Sequence, residues 1–205
     1  MSSAQKVSAR IQRIKRGSPF SISGFYQLGS RTSVEKAMSR LAKKGVISRV
    51  SKGFYVRPKP LKSIPSINVT TSAKQVARAW AKKNEYKLVS QGEESAYRLG
   101  FQTQAPVKEI FWSNGPSRRF IIGKEVVEVR HTSKEKLRWA KLPTGELYRS
   151  FFAVSPEFIG IPQMREALKR LSISKKEYKS LLHKLCSAPL PSVWQKKLES
   201  LEKVI

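Results

Sequence analysis

Residues 30–45 have the sequence SRTSVEKAMSRLAKKG, which predicts a helix with one apolar face. Thr32 and Glu35 have the spacing of a capping box, because a hydroxyl and a carboxylate three residues apart can satisfy N–H groups at a helix start. Gly45 can adopt the left-handed conformation that ends a helix. Between these two signals lies an apolar stripe at helical spacing, formed by Val34, Ala37, Met38 and Leu41.

The segments on either side of this helix predict a winged helix-turn-helix over residues 1–58. Residues 3–16 have the periodicity of a first helix. Residues 20–29 form a short apolar segment that ends in glycine, which is typical of the helix and turn before a recognition helix. Residues 46–50 and 54–56 are β-prone runs joined by a turn with lysine and glycine, which predicts a hairpin with a basic tip.

The charge of the chain favours a polyanionic partner. Its 205 residues include 41 Lys and Arg against 14 acidic residues, and the formal net charge is +27. The excess is concentrated at the start, because residues 1–62 hold 15 basic side chains and a single acid, Glu35. Such an imbalance opposes compaction by self-repulsion and favours nucleic acid as a partner. The alternative is a merely soluble basic protein, and the uneven distribution argues against it.

The residue types restrict the chemistry. Every acidic residue is Glu, whereas the Mg²⁺ sites of nucleases and nucleotidyltransferases usually include Asp. The single cysteine, Cys186, excludes an internal disulfide and a multi-cysteine zinc site, and its apolar surroundings predict a buried thiol. The two histidines, His131 and His183, have no local ligand spacing, which favours structural roles. We therefore expect a protein that is not an enzyme and has no cofactor or metal site.

The prolines after the hairpin predict a basic linker over residues 59–71, because proline fixes φ and removes a hydrogen-bond donor. Residues 72–205 are expected to form a C-terminal α+β domain with a small antiparallel sheet and a helical tail. The expected strands lie at residues 87–89, 107–112, 119–122 and 126–130, the last three pairing in chain order as a meander. The expected helices lie at residues 72–83, 95–100, 147–154, 162–171, 174–185 and 191–201.

The helix over residues 32–45 has the residue types that read DNA. A helix fits the major groove, where Arg and Lys reach guanine edges and Ser or Thr bond to bases or phosphates. Near base edges we expect Arg31, Thr32, Ser33 and Lys36, and further along we expect phosphate contacts from Arg40, Lys43 and Lys44. In and after the hairpin, the expected contacts to the backbone or a minor groove are Arg49, Lys52, Tyr55 and Arg57. The alternative is a solvated cationic face.

A second group of cations flanks the predicted strands of the C-terminal domain. It consists of Arg118, Arg119, Lys124 and Arg130. These residues predict a second basic patch for nucleic acid or an acidic partner, and the alternative is a solvated face of the sheet.

Three blocks of sequence stand out as family signatures. The first is residues 33–58, which includes LAKKGVISRV at 41–50 and KGFYVRP at 52–58. The second is SAYRLGFQTQAP at 95–106, and the third runs from IFWSNG at 110–115 to IIG at 121–123. Together the blocks resemble the AbiEi-type antitoxins of bacterial type IV toxin–antitoxin (abortive infection) systems.

This resemblance implies an N-terminal winged helix that binds operator repeats of its own promoter and represses its operon. It also implies a C-terminal domain that opposes a nucleotidyltransferase-like toxin encoded beside it. Antitoxins of this type need not form a stable complex with the toxin, so direct binding stays open.

We therefore expect a sequence-specific DNA-binding repressor with antitoxin activity, acting as a monomer or weak dimer on double-stranded DNA. The alternatives are a stand-alone winged-helix regulator, an RNA-binding module that uses the same basic face, and a nucleic-acid enzyme. No run approaches the roughly 18 apolar residues of a membrane span, and the first residues lack the apolar segment of a signal peptide. A cytoplasmic protein without a membrane partner is the expectation.

Overall fold

The computed structural model describes residues 1–60, 68–69 and 71–204 and shows a mixed α+β protein with a helical C-terminal region. Its helices are α1 (Ser3–Gln12), a 3₁₀ helix (Ile22–Leu28), α2 (Arg31–Lys43), α3 (Ala73–Lys83), α4 (Gly92–Leu99), α5 (Pro143–Ser150), a second 3₁₀ helix (Pro156–Phe158), α6 (Ile161–Arg170), α7 (Lys175–Cys186) and α8 (Ser192–Glu202). Its strands are β1 (Phe20–Ser21), β2 (Ser48–Ser51), β3 (Phe54–Val56), β4 (Lys59–Pro60), β5 (Asn68–Val69), β6 (Leu88–Ser90), β7 (Glu109–Ser113), β8 (Arg118–Ile122) and β9 (Glu125–His131).

The chain divides into two compact units, and neither is continuous in sequence. The N-terminal unit consists of Met1–Tyr86 and Arg118–Val127, and the C-terminal unit consists of Lys87–Ser117 and Glu128–Ile205. The predicted linker over residues 59–71 lies mostly outside the described residues. Its described ends, β4 and β5, form a two-stranded antiparallel sheet.

The N-terminal unit is built on a small apolar core between α1, the first 3₁₀ helix and α2. α1 and α2 pack against each other along the apolar stripes that their periodicity predicts. The buried side chains of this core are Val7, Ile11, Phe25, Val34, Ala37, Met38 and Ile47. A three-stranded sheet of order β1-β3-β2 completes it, and Tyr55 of β3 stands opposite both Phe20 and Arg49.

The start of α2 differs from the predicted capping box. Ser30, not Thr32, caps the helix, and its hydroxyl accepts a hydrogen bond from the Ser33 N–H at 3.3 Å. Glu35 instead forms an ion pair with Arg31 at 2.9 Å. The prediction was wrong because Ser and Thr are both good capping residues, and local spacing does not distinguish a helix that begins two residues earlier. The glycine stop is confirmed, since Gly45 has φ +70°.

α3 belongs to the N-terminal unit, and its first N–H groups bind a residue that is distant in sequence. The carboxylate of Glu125 accepts hydrogen bonds from the backbone N–H groups of Ala73 at 2.9 Å and Lys74 at 3.3 Å. A carboxylate here satisfies unpaired donors and complements the positive end of the helix dipole. The predicted helix over residues 72–83 is confirmed, with Ser72 as its N-cap.

The C-terminal unit contains the larger core. It lies among α4, α5, α6, α7 and α8, and its largest fully buried side chains include Tyr148, Leu147, Met164, Leu168, Leu182, Leu185 and Trp194. The predicted capping box at Ser174 and Glu177 is present, and Gly100 ends α4 with φ +79°. α5 begins four residues earlier than expected from the segment 147–154, because Pro143 stands at its first turn, where no N–H is needed.

The four-stranded sheet does not have the order of a meander. Its strand order is β6-β7-β9-β8, so β7 is a neighbour of β6 and β9 rather than of β8. A tight turn at Gly123, with φ +60°, joins β8 to β9 as expected for a hairpin. The expected pairing of β7 with β8 was therefore wrong, because the partner of β7 is decided by non-local contacts. β6 pairs antiparallel with β7, with Val89 opposite Trp112.

Candidate nucleic-acid interface

α2 presents a cationic face to solvent. Val34, Ala37 and Met38 are buried on one side of the helix, which leaves the polar residues on the other. The exposed residues of α2 and its end include Arg31, Thr32, Ser33, Lys36, Ser39, Arg40, Lys43 and Lys44. All seven residues of α2 and its end that the sequence assigned to DNA contact therefore lie exposed along one helix.

The first turn of α2 holds one arginine in a defined position. Glu35 accepts hydrogen bonds from Arg31 Nε at 2.9 Å and from the Tyr26 hydroxyl at 3.3 Å. The Arg31 guanidinium also lies 5.6 Å from the centre of the Tyr26 ring, a distance at which a cation is attracted to an aromatic face. The hydrogen bond from Arg31 lowers the pKa of the Glu35 carboxyl and raises the pKa of Arg31 itself. Arg31 is thus oriented while its side chain remains 77% exposed.

The β2–β3 hairpin carries further cations next to this turn. Arg49 and Lys52 are exposed, and Gly53 takes φ +76° at the turn, a conformation that glycine adopts without strain. The Gly53 carbonyl accepts a hydrogen bond from the Ile22 N–H at 2.9 Å, which holds the hairpin turn against the first 3₁₀ helix. Tyr55 is half-buried and stacks on Phe20 with the ring centres 6.3 Å apart.

A concave surface lies between the first turn of α2 and the hairpin. We call it the cationic groove; its volume is about 370 Å³, and its lining residues are Ile22, Tyr26, Arg31, Glu35, Arg49, Lys52, Gly53 and Tyr55. Three cations and one carboxylate line the groove, and the carboxylate is already paired with Arg31. The sequence did not indicate Tyr26 as part of the site, although an aromatic residue in the turn before a basic helix is a usable signal.

Arg57 has a structural position that the sequence did not predict. Its Nη1 donates hydrogen bonds to the carbonyl of Gln12, the last residue of α1, and to the carbonyl of Ile14 at 2.8 Å. Arg16 makes the reciprocal contact, donating from Nη1 to the Pro58 carbonyl at 3.0 Å. Because helix C-termini leave carbonyls unpaired, these two arginines fasten the end of α1 to the chain that follows the hairpin.

The four residues of the predicted second basic patch occupy different surroundings. Arg118 is half-buried, with its guanidinium 5.9 and 5.3 Å from the ring centres of Trp80 and Phe120. Arg119 and Lys124 are exposed. Arg130 belongs to the C-terminal unit, where its Nη2 pairs with Glu128 at 2.8 Å. Arg118 and Arg130 therefore have different surroundings and lie in different units, whereas the cations of α2 are exposed along a single helix.

In the part of the chain that the structure describes, no group of three or more His, Cys or Glu side chains is placed to hold a metal ion. The Nδ1 atom of His131 lies 3.1 Å from the Gly115 carbonyl, and His183 is exposed. Cys186 is half-buried, and burial raises the pKa of its thiol. Among the described residues, none of the helices is long and apolar enough to cross a membrane.

Comparison with known proteins gives a family. No curated protein matches the chain. A crystal structure of the RV2827C protein from Mycobacterium tuberculosis is similar over 98% of this chain and 76% of that one, with 15% identity and a TM-score of 0.47. A family model matches residues 6–143, which is more than half of the chain, and the protein therefore belongs to DUF6088, a family of unknown function.

Proposed function

We propose that the N-terminal unit is a winged helix-turn-helix that binds duplex DNA in the cytoplasm, with α2 in the major groove. The observation that carries this proposal is the cationic groove, where the first turn of α2 and the hairpin bring Arg31, Arg49 and Lys52 together. The order of elements supports it, because α1, the 3₁₀ helix, α2 and the β2–β3 hairpin follow one another as in a winged helix.

The dimensions and charges of α2 suit a DNA groove. A helix of 13 residues is about 20 Å long, and the major groove of B-DNA admits a helix of ordinary diameter. The phosphates on both sides of the groove attract the exposed cations, and each phosphate that is neutralised releases counterions. The ordered guanidinium of Arg31 and the hydroxyls of Thr32 and Ser33 lie at the end of α2 where base contacts are expected.

Footprinting on the region upstream of the protein's own gene tests the proposal directly. We expect protection of paired repeats whose spacing follows the helical repeat of DNA. Structured RNA at matched salt should compete poorly with the duplex, because the deep, narrow major groove of A-form RNA does not admit a helix. Equal competition by RNA would favour an RNA-binding module instead.

Lys36→Ala and Lys52→Ala should affect DNA binding in different ways. Lys36 lies where α2 would face bases, so its loss should reduce discrimination between operator and random DNA, by about 1–3 kcal/mol if it contacts a base edge. Loss of Lys52, at the hairpin turn, should weaken binding to all sequences alike and reduce the slope of log K against log salt by about 0.9. Titrations of both variants against operator and scrambled duplexes at several salt concentrations give these values. An identical loss for Lys36→Ala on both duplexes would contradict the assignment of Lys36 to bases.

Repression of its own operon and an antitoxin role complete the proposal, and they rest on the three sequence blocks that resemble AbiEi-type antitoxins. We expect co-expression of this protein to restore growth to cells that express a nucleotidyltransferase-like protein from the neighbouring gene. The variant with Lys36 and Lys52 both changed to alanine should lose repression of a promoter reporter. If the unchanged protein does not restore growth, the function that remains is that of a stand-alone regulator.

A further inference from the structure

A second cavity lies within the C-terminal unit and is cationic. Its volume is about 540 Å³ and its walls include residues from α4, from the segment before α5, from α5 and from the end of α6. Five charged side chains line it: Arg98, Lys141, Glu146, Arg149 and Arg170. Glu146 is paired with Arg98, whose Nη2 lies 3.1 Å from its Oε1. The remaining three charges in the cavity are therefore all positive.

Arg149 is the unusual member of this set because it is buried without a partner. Its residue is 5% exposed, and its Nε and Nη1 atoms have no hydrogen-bond partner among the described residues. Burial lowers the pKa of Arg149 to about 10, while Glu146 raises it and Arg98 lowers it by smaller amounts. The side chain is therefore still a cation at neutral pH. A buried, uncompensated charge is costly to the fold, and a guanidinium with free N–H groups fits an oxyanion.

Two glycines lie beside the guanidinium groups of the cavity. A Cβ at Gly145, one turn before Arg149 on α5, would collide with the Trp139 carbonyl oxygen and would lie 2.8 Å from Arg149 Nη1. A Cβ at Gly100, where φ is +79°, would lie 2.7 Å from the guanidinium carbon of Arg170. Real Cβ atoms do not approach so closely, so a larger residue at position 100 would displace the Arg170 guanidinium. A larger residue at position 145 would meet the Trp139 backbone as well as Arg149.

We propose that this cavity binds a phosphorylated small molecule, whose phosphate group is held by Arg149 with Lys141 and Arg170. A phosphate group provides several acceptors for the free N–H groups of Arg149 and carries negative charge to offset the cations. Arg170 also has a carboxylate nearby, since its Nε lies 3.8 Å from Glu166 Oε1. The cavity is larger than one phosphate group and has the size of a ligand pocket. The remaining space takes the organic part of the ligand. This proposal does not depend on DNA binding by the N-terminal unit.

Isothermal titration and thermal unfolding of the full chain, in buffer without phosphate, test the proposal. The probes are inorganic phosphate, AMP, adenosine and malonate. We expect saturable binding of phosphate and AMP with a rise in the unfolding temperature, and no binding of adenosine. Tighter binding of AMP than of phosphate would identify a nucleotide as the ligand, and equal binding would identify the phosphate group alone. The proposal is overturned if malonate binds more tightly than phosphate, or if phosphate binding does not saturate.

Arg149→Met removes the charge and keeps an unbranched side chain of similar shape. We expect this variant to bind phosphate about 10- to 100-fold more weakly, as for the loss of hydrogen bonds to a charged group. It should also unfold at a higher temperature than the unchanged protein in the absence of phosphate, because the unpaired buried charge is gone. Its DNA affinity should not change, which separates this proposal from the first.

Two further variants provide controls. Arg170→Gln changes an exposed residue at the cavity and should weaken phosphate binding without a packing defect. Lys176→Gln removes one exposed charge from the same unit at a residue that does not line the cavity, and this variant should bind phosphate normally. Equal phosphate affinity in Lys176→Gln and Arg170→Gln, together with an unchanged affinity in Arg149→Met, would show that only net charge attracts the anion.

Discussion

Replacing Lys36, Arg40, Lys43 and Lys44 with glutamine is expected to lower DNA affinity by about 100- to 1,000-fold near 0.15 M salt. The four side chains lie exposed on α2 or at its end, opposite the buried stripe of the helix. If each neutralises one phosphate, the slope of log K against log salt falls by about 3.6. Fluorescence anisotropy with a labelled operator duplex at four or more salt concentrations measures both quantities.

The control for this variant removes the same number of charges from the other unit. Lys134, Lys176, Lys179 and Lys196 are exposed residues of the C-terminal unit, and their change to glutamine leaves the same net charge as the α2 variant. We expect the control to retain most of the affinity and of the salt slope, since general attraction is screened over about 10 Å at 0.1 M salt. Equal losses in the two variants would mean that α2 has no special part in binding.

The loss of α2 charges should leave the fold intact. Glutamine has nearly the helix propensity of lysine and arginine, and the substituted side chains are exposed. Arg40 and Lys43 lie in the last turn of α2, where cations interact favourably with the helix dipole, so a small decrease in stability is expected. Circular dichroism and thermal unfolding of the variant therefore accompany the binding measurement.

Trp194→Ala should destabilise the C-terminal unit by about 3–5 kcal/mol. Trp194 is 2% exposed, and its ring stacks on Phe151 with the ring centres 4.2 Å apart. Its removal leaves a cavity in the core and forfeits the ring contact. Since small domains are stable by about 5–15 kcal/mol, this change takes a large part of the stability of the unit. Urea unfolding followed by near-UV circular dichroism measures the loss.

The neighbouring residue on α8 gives a matched control. Val193 is 46% exposed, so Val193→Ala should change the free energy of unfolding by less than about 0.5 kcal/mol. DNA binding by the N-terminal unit should survive Trp194→Ala at temperatures where the C-terminal unit begins to unfold. A loss of less than about 1 kcal/mol in Trp194→Ala would contradict its place at the centre of the core.

Predictions from sequence succeeded where a few neighbouring residues decide the structure. The capping box at Ser174 and Glu177 is present, Gly100 ends α4, and three of the four residues in the apolar stripe of α2 are buried, with Leu41 half-buried. Each depends on hydrogen bonds or packing within one or two turns. The predicted start of α2 was wrong by two residues, because Ser30 and Thr32 are both good capping residues and short-range spacing does not distinguish them.

Predictions from sequence failed where distant segments meet. β7 pairs with β6 and β9 rather than with β8, and Arg118–Val127 joins the N-terminal unit although it follows residues of the other unit. The hydrogen bonds of Arg57 to carbonyls 43 and 45 residues away were not foreseen either; its contact with DNA stays a prediction. Nothing near these residues in the chain indicates the partner, because the partner is supplied by the fold.

The amino-acid sequence alone determined the concentration of positive charge near the start, the cationic face of α2 and most of the helices, because composition and short-range periodicity are properties of contiguous residues. Only the tertiary structure decided which cations lie together and which are held by other parts of the chain. It brought Arg31, Arg49 and Lys52 around one groove and used Arg57 to hold α1. It also buried Arg149 without a partner beside a cavity. The burial and pairing of a charged side chain depend on atoms from distant parts of the chain. Those atoms determine the free energy of the charge, and the neighbouring residues in the sequence do not reveal them.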